Sequence, residues 1–321
     1  MPVRVLGPAA RLALPQGAVG RVLAVFRRSF YVEMQDGALA CLGPASLGAG
    51  PLNVLYELPE VAGLPSDWAT AGLTAGDPVR VQGHTLHVDE RWHFDLQATC
   101  TWSPAPVAEP DALGLASGRA LLAEVCAGSP APRGLGRLLP ALLAGSAASE
   151  QRPGVDGMLL RTALKHTRTL MAWLSDCTQP ASLGSFVPPS ELLDLLGLGP
   201  GLTPAGDDLL GGALVALHAL GQSGKAAQLA GHLLPHAAAR TGRISGAHLA
   251  CAAQGWGADA LHDALAALAA GDRIALHAAV QQLDAIGHTS GWDALTGAAA
   301  LWVALAGVPR LTAELHPTLP C

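Results

Sequence analysis

The stretch GLGPGLTPAGDDLLGGALVAL, residues 197 to 217, places glycines at 197, 199 and 201 directly ahead of an apolar helical run. Thr203 followed by Pro204 predicts a helix start, with Thr as N-cap and Pro at the first helical position. The unpaired N–H groups of a helix N-terminus, joined to a loop that glycine lets come close, attract a phosphate or a carboxylate. Gly199, Gly201 and Gly206 are expected to offer backbone donors there, and Thr203 a hydroxyl. No Lys follows the glycines, which excludes a Walker A loop, and the preceding SELLDLL reads as helix, which argues against a dinucleotide fold. A glycine C-cap, a turn and an ordinary capped helix account for the same residues. Asp207 and Asp208 tilt the balance, because adjacent carboxylates one turn into an apolar helix can do more than offset its dipole. They can act as general base, hold a metal ion such as Mg²⁺ or orient ligand donors.

A second junction of the same kind is IGHTSGWDALTG, residues 286 to 297. Ser290 and Asp293 stand three apart, a capping-box variant with Asp in the place of Glu or Gln. His288, beside glycines at a helix start, can give or take a proton near neutral pH. Gly206, Asp208, Leu210, Gly212 and Ala213 recur 85 residues later as Gly291, Asp293, Leu295, Gly297 and Ala298. If the two helices pack through Gly212 and Gly297, both N-termini face one pocket. Between the junctions, ARTGRISGAHLACAAQG carries Thr241 or Ser245 as a helix cap and Arg243 as a guanidinium able to grip an anion.

These junctions need a scaffold, and the chain supplies two kinds of text. Up to about residue 105 it is strand-like, with RVLAVF, FYVEM, ALACLG, NVLYEL, PVRVQGHTLHV and WHFDLQATCTW separated by turn residues. A small antiparallel β-domain over 1–105 is expected, with hairpin turns at Gln35-Asp36-Gly37 and Asp89-Glu90-Arg91. After the Pro-rich SPAPVAEPDA, residues 113 to 321 turn to Ala and Leu at helical spacing, so the fold class is α+β. Interior glycines such as Gly211, Gly212 and Gly297 cost a helix about 1 kcal/mol each, and close helix approach is the expected compensation.

Composition narrows the function. The formal charge of −6 and the lack of a basic cluster argue against a nucleic-acid partner. Only Lys165 and Lys225 are lysines, which leaves little room for a phosphate-binding or Schiff-base lysine. Six cysteines without a CxxC pair read as reduced thiols of a cytoplasmic protein. The N-terminal text holds no apolar run of signal-peptide length, and GAAALWVALAGV is too short to span a bilayer, so no membrane partner is expected. No His/Cys set has zinc spacing, His84, His87 and His93 read as strand-face residues, and neither a structural metal nor a cofactor is expected.

At GLGPGLTPAGDD and IGHTSGWDALTG the chain resembles the AllH-like family of oxamate carbamoyltransferase subunits, long catalogued as a domain of unknown function. The likeness is specific over residues 197 to 306 and weaker over 20 to 54. Ala205 stands where Ser is expected and Ala49 where Asn is commoner; the cradle glycines and both aspartates are intact. The resemblance implies ureide catabolism, the breakdown of purines through allantoin, in which oxalurate and phosphate are interconverted with oxamate and carbamoyl phosphate. It implies partner subunits, one of them FdrA-like. For such a transfer the residues singled out above offer Asp207, Asp208 and His288 as candidate proton acceptors, with Gly199, Gly201, Thr203, Gly206, Arg243, Ser245, Ser290 and Asp293 around a small anion. The alternative from a different class is a scaffold subunit that binds a small carboxylate and docks partner proteins.

Overall fold

The computed structural model describes residues 1–57, 67–97, 99–145, 155–176 and 187–307. Among the described residues nine strands, β1 (Val3–Leu6), β2 (Val19–Val25), β3 (Phe30–Met34), β4 (Leu39–Pro44), β5 (Asn53–Tyr56), β6 (Pro78–Gln82), β7 (Thr85–Val88), β8 (Trp92–Asp95) and β9 (Cys100–Thr101), form one sheet. Its order is β8-β7-β6-β2-β3-β4-β5-β1-β9. The pairings are antiparallel apart from β4 with β5 and β1 with β9, which are parallel. Both expected hairpin turns are present. Asp36 Oδ1 accepts from the Ala38 N–H at 2.9 Å between β3 and β4, and Asp89 and Glu90 take φ of 47° and 51° between β7 and β8.

A cluster of aromatic rings stands within the largely aliphatic core packed on the sheet. Phe30 packs edge-on against Trp68 with ring centroids 4.9 Å apart, and the Trp68 indole N–H donates to the Tyr56 hydroxyl at 3.0 Å. Strand β1 and the short helix α1 (Pro8–Ala13) are elements the sequence text did not announce.

The second half is helical: α2 (Ala112–Cys126), α3 (Leu139–Ala144), α4 (Val155–Asp176), α5 (Ala205–Ala219), α6 (Ser223–Arg240), α7 (Arg243–Ala252), α8 (Asp259–Ala270), α9 (Arg273–Asp284) and α10 (Ser290–Ala306). Helices α5 and α10 are buried almost all round, as their near-continuous apolar text requires. They cross through the two glycines. A Cβ on Gly212 would lie 1.9 Å from the Ala294 carbonyl oxygen, and one on Gly297 would lie 1.8 Å from the Leu209 carbonyl oxygen. Only glycine permits that approach, which offsets its poor helix propensity.

Sheet and helices meet along α7 and the start of α8. Leu39, Leu52, Ile244 and Cys251 form a small apolar cluster between them. Around it, Ala49 donates its N–H to Asp259 Oδ2 at 2.8 Å, the Asp259 N–H returns to the Ala49 carbonyl at 2.9 Å, and Glu33 pairs with Arg243. Among the described residues no helix is long and apolar enough to cross a membrane. Cys41, Cys100, Cys126 and Cys251 are free thiols, whereas Cys177 and Cys321 lie outside the described residues.

Candidate functional site

The loop ahead of α5 takes a path that its glycines make possible. Gly197, Gly199 and Gly201 have φ of 76°, 113° and 101°, a region that other residues rarely enter. A Cβ on Gly199 would also sit 3.0 Å from the Ala205 nitrogen, at the mouth of the helix. The helix begins one residue later than the Thr-Pro signal predicts. Pro204, at φ −55° and ψ 142°, is the flanking residue, and its carbonyl receives the N–H groups of Asp207 at 2.9 Å and Asp208 at 3.1 Å. Thr203 is thus not the N-cap, and its freed hydroxyl pairs with the Ser290 hydroxyl at 3.0 Å. The Gly206 N–H does not point at a ligand either; it closes the loop on the Leu198 carbonyl at 2.9 Å.

The second junction also departs from its expected cap. Thr289, not Ser290, flanks α10, so Ser290 lies inside the first turn with its hydroxyl turned toward Thr203. The Ser290–Asp293 capping box does not form. Asp293 instead accepts from the Thr289 hydroxyl at 2.7 Å and from the Leu135 N–H at 2.6 Å, which fastens the turn Gly134–Leu138 to the start of α10. Burial pushes the Asp293 carboxyl up to about 6 against the pull of these two donors and of the His288 charge.

Neighbouring carboxylates on α5 have different surroundings. Asp207 is buried and fully engaged: it accepts from the Gly197 N–H at 2.8 Å, from the Ser245 hydroxyl at 2.6 Å and from the Thr241 hydroxyl. Thr241 and Ser245 are therefore ligands of Asp207 rather than caps of α7, whose flanking residue is Gly242. Successive helical side chains point about 100° apart, and Asp208 points elsewhere. Its Oδ2 is buried with no hydrogen-bond partner. Burial raises its proton affinity well above that of an ordinary aspartate, the charges of Asp293 and Asp207 add to this, and the Ser290 and Thr203 hydroxyls beside it pull it back.

Both helix starts open on one cleft of about 1590 Å³ between the sheet and the helices. Asp207, Asp208 and His288 line it, as do Gly201, Thr203, Ser245 and Ser290. Gly199, Gly206, Asp293 and Arg243 do not reach its wall. Arg243 is occupied by Glu33, whose carboxylate is also held by Arg21 at 2.9 Å. Other arginines stand around the cleft. Arg28 bonds the Ser46 hydroxyl at 2.9 Å and Arg133 bonds Asp284 at 2.8 Å, while the exposed Arg27 makes no ion pair among the described residues. No group of three or more His, Cys, Asp or Glu among the described residues is placed to hold a metal ion.

One polar pair on the cleft wall escaped the sequence reading. The Tyr31 hydroxyl on β3 and His248 Nε2 on α7 are 2.9 Å apart, and both residues line the cleft. They are separated by 217 positions, and neither FYVEM nor ARTGRISGAHLACAAQG marks them as a pair.

Comparison with protein families finds two matches. A model described as oxamate carbamoyltransferase subunit AllH matches residues 195–302, and one described as the AllH family N-terminal domain matches residues 6–101. No curated protein and no solved structure matches the chain.

Proposed function

The chain belongs to the family of the oxamate carbamoyltransferase subunit AllH, and from that premise we propose that its cleft binds the small anions of a carbamoyl transfer in ureide catabolism. The observation that carries this reading is the convergence of two helix N-termini on one cavity, tied together by the hydrogen bond between the Thr203 and Ser290 hydroxyls. Two positive dipole ends and the free N–H groups of the Gly201 loop favour a phosphate or carboxylate there.

The transfer divides into steps that these residues suit. The amide nitrogen of oxamate bonds to the carbamoyl carbon, the bond from that carbon to the phosphate oxygen breaks, and phosphate leaves with the electron pair. The proton lost from nitrogen needs an acceptor. Asp208 is the candidate favoured by its environment, because a buried carboxylate with raised proton affinity is a stronger base than an exposed one. Asp207 holds the loop in place through its three donors, and His288 at the exposed rim is a second proton carrier. Fixed donors at the helix starts stabilise charge developing on the carbamoyl oxygen. Arg243 would join the anion only after leaving Glu33. The reaction runs in the cytoplasm with an FdrA-like subunit and other carbamoyltransferase subunits.

The test is an assay for oxalurate formation from carbamoyl phosphate and oxamate, using the chain alone and with its partner subunits. Activity is expected from the complete set and is expected to fall about a hundredfold with Asp208→Asn. Full activity of the partners without this chain would contradict the reading. Full activity of the complete set carrying Asp208→Asn would leave a scaffold that binds a carboxylate.

A further inference from the structure

We infer that Tyr31 is a substrate-contacting residue that hydrogen-bonds the uncharged amide end of the anion held at the two helix starts, with His248 as the positioning residue that orients it. This rests on the anion-binding reading above and adds to it the wall that reads the other end of the substrate.

Tyr31 projects from β3 and His248 from α7, so the pair exists only where the sheet meets the helices. Its rings meet edge to face, with centroids 6.2 Å apart at 76°. Phe26 holds the other side of the phenol, also edge-on at 6.1 Å. The apolar cluster of Leu39, Leu52, Ile244 and Cys251 packs against Tyr31 and fixes its ring. Both polar side chains are only partly buried, and the cleft they line also contains Thr203, Asp208 and Ser290.

The chemistry of the pair suits an uncharged partner. Enclosure lowers the imidazole to about 4 and raises the phenol well above its usual value, so both are neutral around pH 7. A phenol has one donor and two acceptor positions; the imidazole takes one, the neighbouring Cys41 thiol takes a second as donor, and one remains for a further bond. With the proton on His248 Nε2, the phenol donates outward to a carbonyl oxygen; with the opposite tautomer it accepts an amide N–H. An amide offers both groups. A second carboxylate offers only acceptors and brings a charge that neither the phenol nor the imidazole offsets. The helix starts therefore suit the charged group, and Tyr31, close enough to Asp208 for that charge to raise the phenol's proton affinity, suits the neutral amide next to it.

Calorimetric titration of the full chain with oxamate and, separately, with inorganic phosphate tests this. Tyr31→Phe keeps the ring and removes the hydroxyl; it is expected to weaken oxamate binding about tenfold, the worth of one neutral hydrogen bond, and to leave phosphate binding within about twofold. His248→Leu is expected to behave like Tyr31→Phe, while His248→Gln, which can still bond the phenol, recovers most of the affinity. Equal oxamate binding by wild type and Tyr31→Phe overturns the inference and leaves the anion site standing. A parallel loss of both ligands also overturns it, since Tyr31 would then only shape the cleft. A wild type that takes phosphate but not oxamate removes the amide-reading wall, and one that binds neither removes the anion site itself.

Discussion

Gly212 and Gly297 pack reciprocally: each lies against the carbonyl of the residue three positions before the other, Gly212 on Ala294 and Gly297 on Leu209. The contacts repeat at the 85-residue offset at which the two helix-start motifs recur in the sequence. Equal spacing on both helices brings their N-termini level, and the hydroxyls of Thr203 and Ser290 meet there. The small residues in the middle of the helices thus position the polar residues at their ends.

That relationship makes a sharp contrast among neighbouring glycines. Gly212→Ala or Gly297→Ala drives a methyl into backbone that cannot rotate away, and each is expected to cost about 3 kcal/mol by denaturant unfolding. Gly211→Ala has only the Ala252 methyl at 3.8 Å to meet, and is expected to gain up to about 1 kcal/mol from helix propensity.

Asp207 and Asp208 separate stability from function. Asp207→Ala leaves the Gly197 N–H and the Thr241 and Ser245 hydroxyls without their acceptor, an expected loss of about 3 kcal/mol. Asp208→Asn removes a carboxyl that has no partner at Oδ2, so unfolding is expected to be unchanged or later. Carbamoyl transfer by the complete subunit set is expected to fall a hundredfold or so, the usual worth of a general base.

Asp293 gives a pH signature. Its carboxyl stands at about 6 in the folded chain against an ordinary 3.8, so the folded protein holds this proton more tightly than the unfolded one. Its contribution to stability is therefore full below about pH 4 and is lost as the pH rises through about 6. Carboxyl NMR titration should find that midpoint, and Asp293→Asn should flatten the fall in unfolding free energy across the same window.

The sequence made the scaffold legible where a pattern was local. Alternating apolar runs mark β2 to β8, Asp36-Gly37 marks a hairpin, and the Ala/Leu text marks the helices. Four-residue β1 and six-residue α1 are too short to build a period, and the parallel pairing of β1 with the two-residue β9 joins segments nearly the whole β-domain apart. The motifs that carry the family likeness lie within 197 to 306 and 20 to 54, and the family matches cover 195–302 and 6–101. In the site, the glycine loop and its aspartates were visible because they are contiguous. The hydroxyl roles were not: Thr203, Ser245 and Ser290 look like helix caps until the chain brings in partners 87 and 38 positions away. Arg243 looks like a free cation until β3 supplies Glu33, and Tyr31 with His248 leaves no trace in spacing at all.

Whether the two helix starts hold a single anion is read most directly from backbone amide NMR shifts of the full chain during titration with inorganic phosphate. The amides of residues 201–205, Pro204 excepted, and of residues 289–291 are expected to shift together and to saturate on one curve with one Kd. Shifts confined to one junction, or two junctions following separate curves, would contradict a shared site, and no shift at either would contradict an anion site altogether.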